Sequence, residues 1–246
     1  MNDAQSPGPQ DPKPPRIQEP ETPRYAILVA GGSGTRMGAD RPKQFLELLG
    51  EPVLLHTLRR FAEVALRVEQ LVVVLPADQF AVWQQLCAQH QIRIPHAVVA
   101  GGETRWASVR KGLAALPRQP HALVAVHDGV RPLASAEIIE RAFTAAETYK
   151  AVVVAVTPKD SVRNLAQRGS YALNRARLRL VQTPQCFDLD LLRRAYQLPE
   201  LPAFTDDASV VEDLCPIHIV EGDYRNLKIT TPEDLIVAEA LLRSLR

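Results

Sequence analysis

Cysteine is scarce in this chain: Cys87, Cys186 and Cys215 are the only three among 246 residues, and they stand far apart. With no Cys-x-x-Cys pair and no metal-ligand spacing, neither a disulfide scaffold nor a zinc module organises the fold. A reduced cytoplasm is the expected compartment. Charge of one sign is not in excess either, since 29 Lys and Arg against 28 Asp and Glu leave a formal net charge of +1. That removes any bulk electrostatic case for binding nucleic acid or a membrane surface. No apolar run approaches the roughly 20 residues needed to span a bilayer, and the N-terminus lacks the apolar core of a secretory signal. Gly-x-Ser-x-Gly, His-Glu-x-x-His and a convincing catalytic triad are all missing, which excludes the common hydrolase and metallopeptidase plans. No internal repeat is visible.

What is present is ordinary for a soluble globular protein: 46% hydrophobic and 23% charged residues. The length suits one large domain, or one domain with an appendage. The first residues, "MNDAQSPGPQDPKPPRIQEPETP", are rich in Pro and polar side chains. Such a segment buries too little apolar surface to offset its chain entropy, so residues 1–22 are expected to be a disordered tail and 23–246 the folded domain.

From Tyr25 onward, short apolar runs alternate with amphipathic stretches. "YAILVA", "LVVVLP", "HAVVA", "ALVAVHD" and "AVVVAV" lack polar alternation, as strands buried on both faces do. Helical patterns lie between them at 53–66, 78–90, 104–116 and 135–149. The expectation is an α/β fold of three layers, Rossmann-like, with a mostly parallel central sheet and ligands at the carboxyl ends of its strands. Beyond residue 157 the pattern is less regular. Two polar extended pieces around Gly169 and Ser170 suggest an arm over about 158–182, followed by helices near 189–196 and 207–214 and a strand at "IHIV". In "TTPEDL", Thr231 suits an N-cap, Pro232 the first helical position, and Asp234 a capping box.

The segment "ILVAGGSGTRMGADRPKQ" carries the first chemistry. Gly32, Gly34 and Gly38 are spaced G-x-G-x-x-x-G, which is not the dinucleotide fingerprint, and no Gly-Lys-Ser/Thr closes a P-loop. What remains is a loop of small residues with the cations Arg36, Arg41 and Lys43, suited to holding an anion on backbone N–H groups and side-chain charge. "AGGETRWASV" repeats the idea with Gly101, Gly102 and a capping Thr104. "VHDGVRP" brings His127, Asp128 and Arg131 to a strand end, where a carboxylate beside phosphates is a plausible Mg²⁺ partner. His127 by itself reads as a packed strand residue. Lys228, ahead of a capped helix, is expected in a rigid frame. Together these residues suit phosphate chemistry run by preorganised cations.

"AGGSGTRMGADRPKQ", "GGETRWASV", "VHDGVRP", "VQTPQ", "TDDAS" and "NLKITTPEDL" occur in the order found in the 2-C-methyl-D-erythritol 4-phosphate cytidylyltransferases, and the chain resembles that family over residues 25–244. The resemblance implies transfer of CMP from CTP to methylerythritol phosphate with release of pyrophosphate, a step of the non-mevalonate route to isoprenoid precursors. It implies Arg36, Lys43 and Lys228 as catalytic cations. It implies a nucleotide site made of Ala30, Gly31, Gly32, Gly34, Gly102, Glu103, Ser108 and Asp128. It implies substrate contacts from Asp128, Arg131, Ser161, Arg175, Thr183 and Lys228, and Mg²⁺ carried mainly by the CTP phosphates, with Asp128 as its protein ligand. The family's arm crosses to a second subunit, which implies a homodimer. The family often has Thr where this chain has Ser161, and "HDG" stands for the commoner "HDA". The related ribitol-5-phosphate cytidylyltransferases share the loop and the "TPQ" turn. A catalytically silent nucleotide-binding module would be expected to lack one of Arg36, Lys43 or Lys228, and all three are present.

Overall fold

The structure is a computed structural model that describes residues 22–31, 41–63 and 66–245. Residues 1–21 of the proposed tail and the loop positions Gly32, Gly34 and Arg36 lie outside the described residues. The first half runs β1 (Arg24–Val29), the short pair β2 (Glu47–Leu48) and β3 (Glu51–Pro52), α1 (Val53–Phe61), β4 (Val68–Leu75), α2 (Phe80–Gln89) and β5 (Ala97–Ala100). Then come α3 (Arg105–Ala114), β6 (Leu123–Asp128), α4 (Ala136–Tyr149) and β7 (Ala151–Val156). The second half adds β8 (Arg163–Leu165), β9 (Ser170–Ala172), β10 (Leu180–Asp188), α5 (Leu189–Ala195), α6 (Asp207–Val211), β11 (His218–Glu221) and α7 (Pro232–Ser244).

Seven strands form one sheet in the order β11-β7-β10-β6-β1-β4-β5. All neighbouring pairs are parallel except those of β10, which runs antiparallel to both β6 and β7. The apolar runs are valine-rich because each strand is covered on both faces. Ala26, Leu28, Val73 and Leu75 pack with Leu54, Leu58 and Phe61 of α1, Trp83 of α2, and Ile139 and Phe143 of α4. The alternate residues Tyr25, Ile27, Val72 and Val74 pack with Val109 and Leu113 of α3, Leu189 and Leu192 of α5, and Val211 of α6. Period-two alternation thus divides one run between two layers of helix.

Three boundaries differ from expectation. The helix expected over 53–66 ends at Phe61, although Leu66 is buried in the same core and so prolongs the apolar period past the helix. The arm is a small exposed hairpin, β8 paired with β9 around Gly169 at φ +82°, and residues 180–182 belong instead to β10. Pro184 interrupts β10 and the register with β7 shifts across it, so a strand in the sheet interior reads as a turn in sequence.

The chain passes from β1 to β4 and β5 on one side and then returns to β6 on the other side of β1. That reversal opens a crevice beyond the carboxyl ends of β1 and β6, the usual ligand position in open α/β sheets. Val29 and Asp128 are register partners, so the loops after these strands start side by side.

Candidate active site

Two cavities meet at this crevice. The first, about 370 Å³, is bounded by Ala30 and Gly31 after β1, Lys43 and Gln44, the Gly102–Arg105 corner entering α3, Ser108, Asp128 and Lys228. The second, about 230 Å³, is bounded by Arg131, Val181–Thr183, Gln185, Thr205 and Asp206. Arg105, Asp128 and Lys228 line both. The shared wall is therefore one carboxylate and two cations.

Asp128 is the centre of this wall. Its carboxylate lies 3.0 Å from Lys228 Nζ, 3.3 Å from Arg131 Nε and 3.6 Å from Arg105 Nε. Burial alone would raise its pKa. Lys228, Arg105 and Arg131 outweigh that effect and hold the carboxyl well below the usual carboxylate range. Arg131 also donates to the Asn226 carbonyl at 2.7 Å, which fixes its guanidinium on the segment leading to Lys228. The residues that follow Lys228 are pinned by the Ile229 N–H to the Val130 carbonyl, and then by Asp234 Oδ2, which accepts from the backbone of Thr230 and Thr231. Thr231 caps α7 with Pro232 in its first turn and Asp234 completing the capping box, as the sequence predicts.

His127 is fully buried and does not face the cleft. Its Nε2 lies 3.1 Å from the Arg131 carbonyl, so this nitrogen carries the proton and donates. Nδ1 then accepts from the Thr183 hydroxyl at 3.1 Å, and that hydroxyl accepts the Asp128 N–H at 3.0 Å. Burial pushes the imidazole down to about 4, so it stays neutral. Thr183 lines the second cavity while its hydroxyl fixes the end of β6.

The Gly102 corner is closely packed. A Cβ at Gly102 would come within 2.4 Å of the Ala107 Cβ, so only glycine fits. The Gly102 N–H donates to Ser108 Oγ at 3.0 Å, and Thr104 caps α3 by accepting the Ala107 N–H. Of the expected site residues, Ala30, Gly31, Lys43, Gly102, Glu103, Ser108, Asp128 and Lys228 line the first cavity, and Asp128, Arg131, Thr183 and Lys228 line the second. Ser161 and Arg175 line neither. Both are exposed on the arm segment, where Arg175 donates to the Lys159 carbonyl.

Arg105 is the residue that sequence reasoning missed. Its two Nη atoms donate to the two oxygens of Asp207 at 2.9 and 2.6 Å, and Asp207 is fully buried. Burial would lower the Arg105 pKa, but Asp207 outweighs it and the group stays charged. The available signal was "TDDAS": a carboxylate at the start of a helix packed into the core requires a cation from elsewhere.

A sequence profile described as 2-C-methyl-D-erythritol 4-phosphate cytidylyltransferase matches residues 25–244. The chain belongs to that family. Among relatives bearing the same name, the protein of Porphyromonas gingivalis is 51% identical over 226 residues, covering 91% of this chain and all of the relative. That of Bacteroides thetaiotaomicron is 48% identical over 217 residues, covering 88% and 98%. The fold agrees as well. The crystal structure of 4-diphosphocytidyl-2C-methyl-D-erythritol synthase from Anaerococcus prevotii superposes with a TM-score of 0.77 at 33% identity, over 90% of this chain and 96% of that one. The cytidylyltransferase from Thermus thermophilus gives 0.71 at 32% identity, over 89% and 99%.

Among the described residues no group of three or more His, Cys, Asp or Glu forms a metal site. The donor set in the cleft fits Mg²⁺ only as an ion that arrives with a triphosphate. Such ions take one or two protein carboxylates and complete their shell with phosphate and water. Asp128 is the buried carboxylate on that wall.

Proposed function

We propose that this protein transfers CMP from CTP to 2-C-methyl-D-erythritol 4-phosphate, giving 4-diphosphocytidyl-2-C-methyl-D-erythritol and pyrophosphate in the non-mevalonate isoprenoid route. The observation that carries this reading is the pair of cavities joined at the Arg105–Asp128–Lys228 wall, in a chain of this family. Two anions must react, and each needs its own pocket with positive charge between them.

The nucleotide occupies the first cavity, with its base toward Ala30, Gly31, Gly102, Glu103 and Ser108 and its phosphates toward Lys43. The acceptor occupies the second, with Arg131, Thr183 and Lys228 around it. A phosphate oxygen of the acceptor attacks the α-phosphorus in line, the bond from that phosphorus to the bridging oxygen breaks, and pyrophosphate leaves. The nucleophile is already an anion, so no general base is needed, which agrees with a buried, neutral His127. Lys43, Lys228 and Arg36 stabilise the added negative charge of the transition state. Mg²⁺, when bound through the phosphates and Asp128, supplies further charge neutralisation.

Ser161 and Arg175 reach the acceptor from the arm of a second copy in a homodimer. The arm's exposed Leu165 and Tyr171, 84% and 53% accessible, support that partner. Among the described residues no helix is long and apolar enough to cross a membrane. The free thiols of Cys87, Cys186 and Cys215 suit the cytoplasm.

The test is pyrophosphate release from CTP, UTP, ATP and GTP, each offered methylerythritol phosphate or ribitol phosphate, with and without Mg²⁺. Turnover is expected with CTP and methylerythritol phosphate in the presence of Mg²⁺. Turnover with ribitol phosphate alone would transfer the assignment to the ribitol-5-phosphate enzymes, and no turnover with any pair would favour a silent nucleotide-binding module.

A further inference from the structure

Arg105 stands at the wall shared by the two cavities, yet it does not close on the carboxylate beside it. Its Nε lies 3.6 Å from Asp128, beyond hydrogen-bonding distance, although a guanidinium and a buried carboxylate normally form a tight fork. The reason is on its other side. Asp207 takes one N–H from each Nη, and Tyr196 donates its hydroxyl to Asp207 at 2.6 Å. Burial and the Asp207 charge both raise the Tyr196 pKa, so the phenol keeps the proton it donates. Trp106 stacks on the Tyr196 ring at 5.5 Å and holds it in place. Asp207 itself is anchored in α6 beside Asp206, which lines the second cavity and accepts from Gln185.

We propose that Asp207, backed by Tyr196, is a positioning residue that holds Arg105 off Asp128, so that Asp128 stays with Lys228 and Arg131 while Arg105 keeps N–H groups for the anion crossing the shared wall. Of the five N–H groups of a guanidinium, two are committed to Asp207 and the others remain for such an anion. If Asp207 lost its charge, Arg105 would move onto Asp128 and compete with Lys228 for it. This inference rests on the transferase reading of the same site.

The test compares Asp207→Asn, Tyr196→Phe, Arg105→Gln and the Arg105→Gln/Asp207→Asn double variant in the full chain. It reads kcat and acceptor KM at saturating CTP, the CTP dissociation constant by calorimetry, and the unfolding midpoint. Asp207→Asn and Arg105→Gln are each expected to lower kcat/KM for the acceptor by ~10- to 100-fold, the size of a roughly 1 Å misplacement. The double variant should fall no further than the worse single, as coupled residues do. Tyr196→Phe, which keeps the stacked ring, should move the same parameter in the same direction by a smaller factor. Additive losses, or a loss that follows only the unfolding midpoint, would overturn the proposal. A crystal structure of Asp207→Asn separates this inference from the transferase reading. Arg105 hydrogen-bonded to Asp128 supports the inference whatever the substrate, and an unmoved Arg105 refutes it. If Asp207→Asn does not fold, Tyr196→Phe decides, and unchanged acceptor kinetics there would refute it.

Discussion

A carboxylate beside Lys228, Arg131 and Arg105 is a poor proton acceptor, and the buried imidazole next to it is no better. Neither Asp128 nor His127 is built for general base work, which agrees with the proposal that the cations carry the chemistry. Lys43→Ala should therefore lower kcat by ~100-fold or more, the size typical of removing one preorganised transition-state contact. Steady-state pyrophosphate release measures it, and a near-normal rate would contradict the role of Lys43. His127 also has a consequence for stability. Its folded pKa of about 4 lies below the ordinary histidine value of 6.5, so between those pH values the unfolded chain binds the extra proton. Stability from this residue is complete above pH 6.5 and is lost as pH falls toward 4, by about 3 kcal/mol at most. Urea midpoints at pH 7 and pH 5 should show this loss, and His127→Asn should be less sensitive to pH over the same window. Asp128 titrates lower still and leaves that window to the histidines; His56, lowered by its own burial, adds in the same direction.

Most of the elements were legible because each answers to one local rule. Apolar runs covered on both faces gave β1, β4, β6 and β7 within a few residues, and cap residues gave the starts of α3 and α7. β10 was not legible, because its pairing is set by strands far away in sequence while Pro184 marks a turn locally. The site divides in the same way. Lys43, Asp128, Arg131 and Lys228 sit in motifs that stand out in the sequence by themselves, whereas Arg105 takes its meaning from Asp207, roughly a hundred residues further on, and only the fold joins them. The α7 cap links an element to the site, because Asp234 Oδ2 binds the backbone of Thr230 and Thr231 just after Lys228. Asp234→Ala should cost about 1–2 kcal/mol of stability, the usual worth of a lost cap. It should also raise KM for the acceptor as Lys228 loosens. Chemical denaturation and steady-state kinetics on the same preparation test both effects, and a change in stability alone would detach the cap from the site.

At the scale of the whole molecule, a single chain leaves its arm in solvent. Among the described residues β8 and β9 pair only with each other, and Arg163, Asn164, Ser170 and Tyr171 satisfy one another across the hairpin. A hairpin of this size is marginal unless something covers it. In the proposed two-fold dimer each arm would reach the partner's acceptor pocket, so that every active site would take Lys43 from one chain and Arg175 from the other. This predicts complementation between two defective chains. Lys43→Ala and Arg175→Ala homodimers should each be strongly impaired. A heterodimer of the two, isolated by differently tagged subunits, assembles one site carrying both lesions and one carrying neither. It should recover roughly half the wild-type rate per dimer, as two-fold symmetry requires. If the arm served its own chain's site, each site would carry one lesion and the heterodimer would be no more active than the average of its parents.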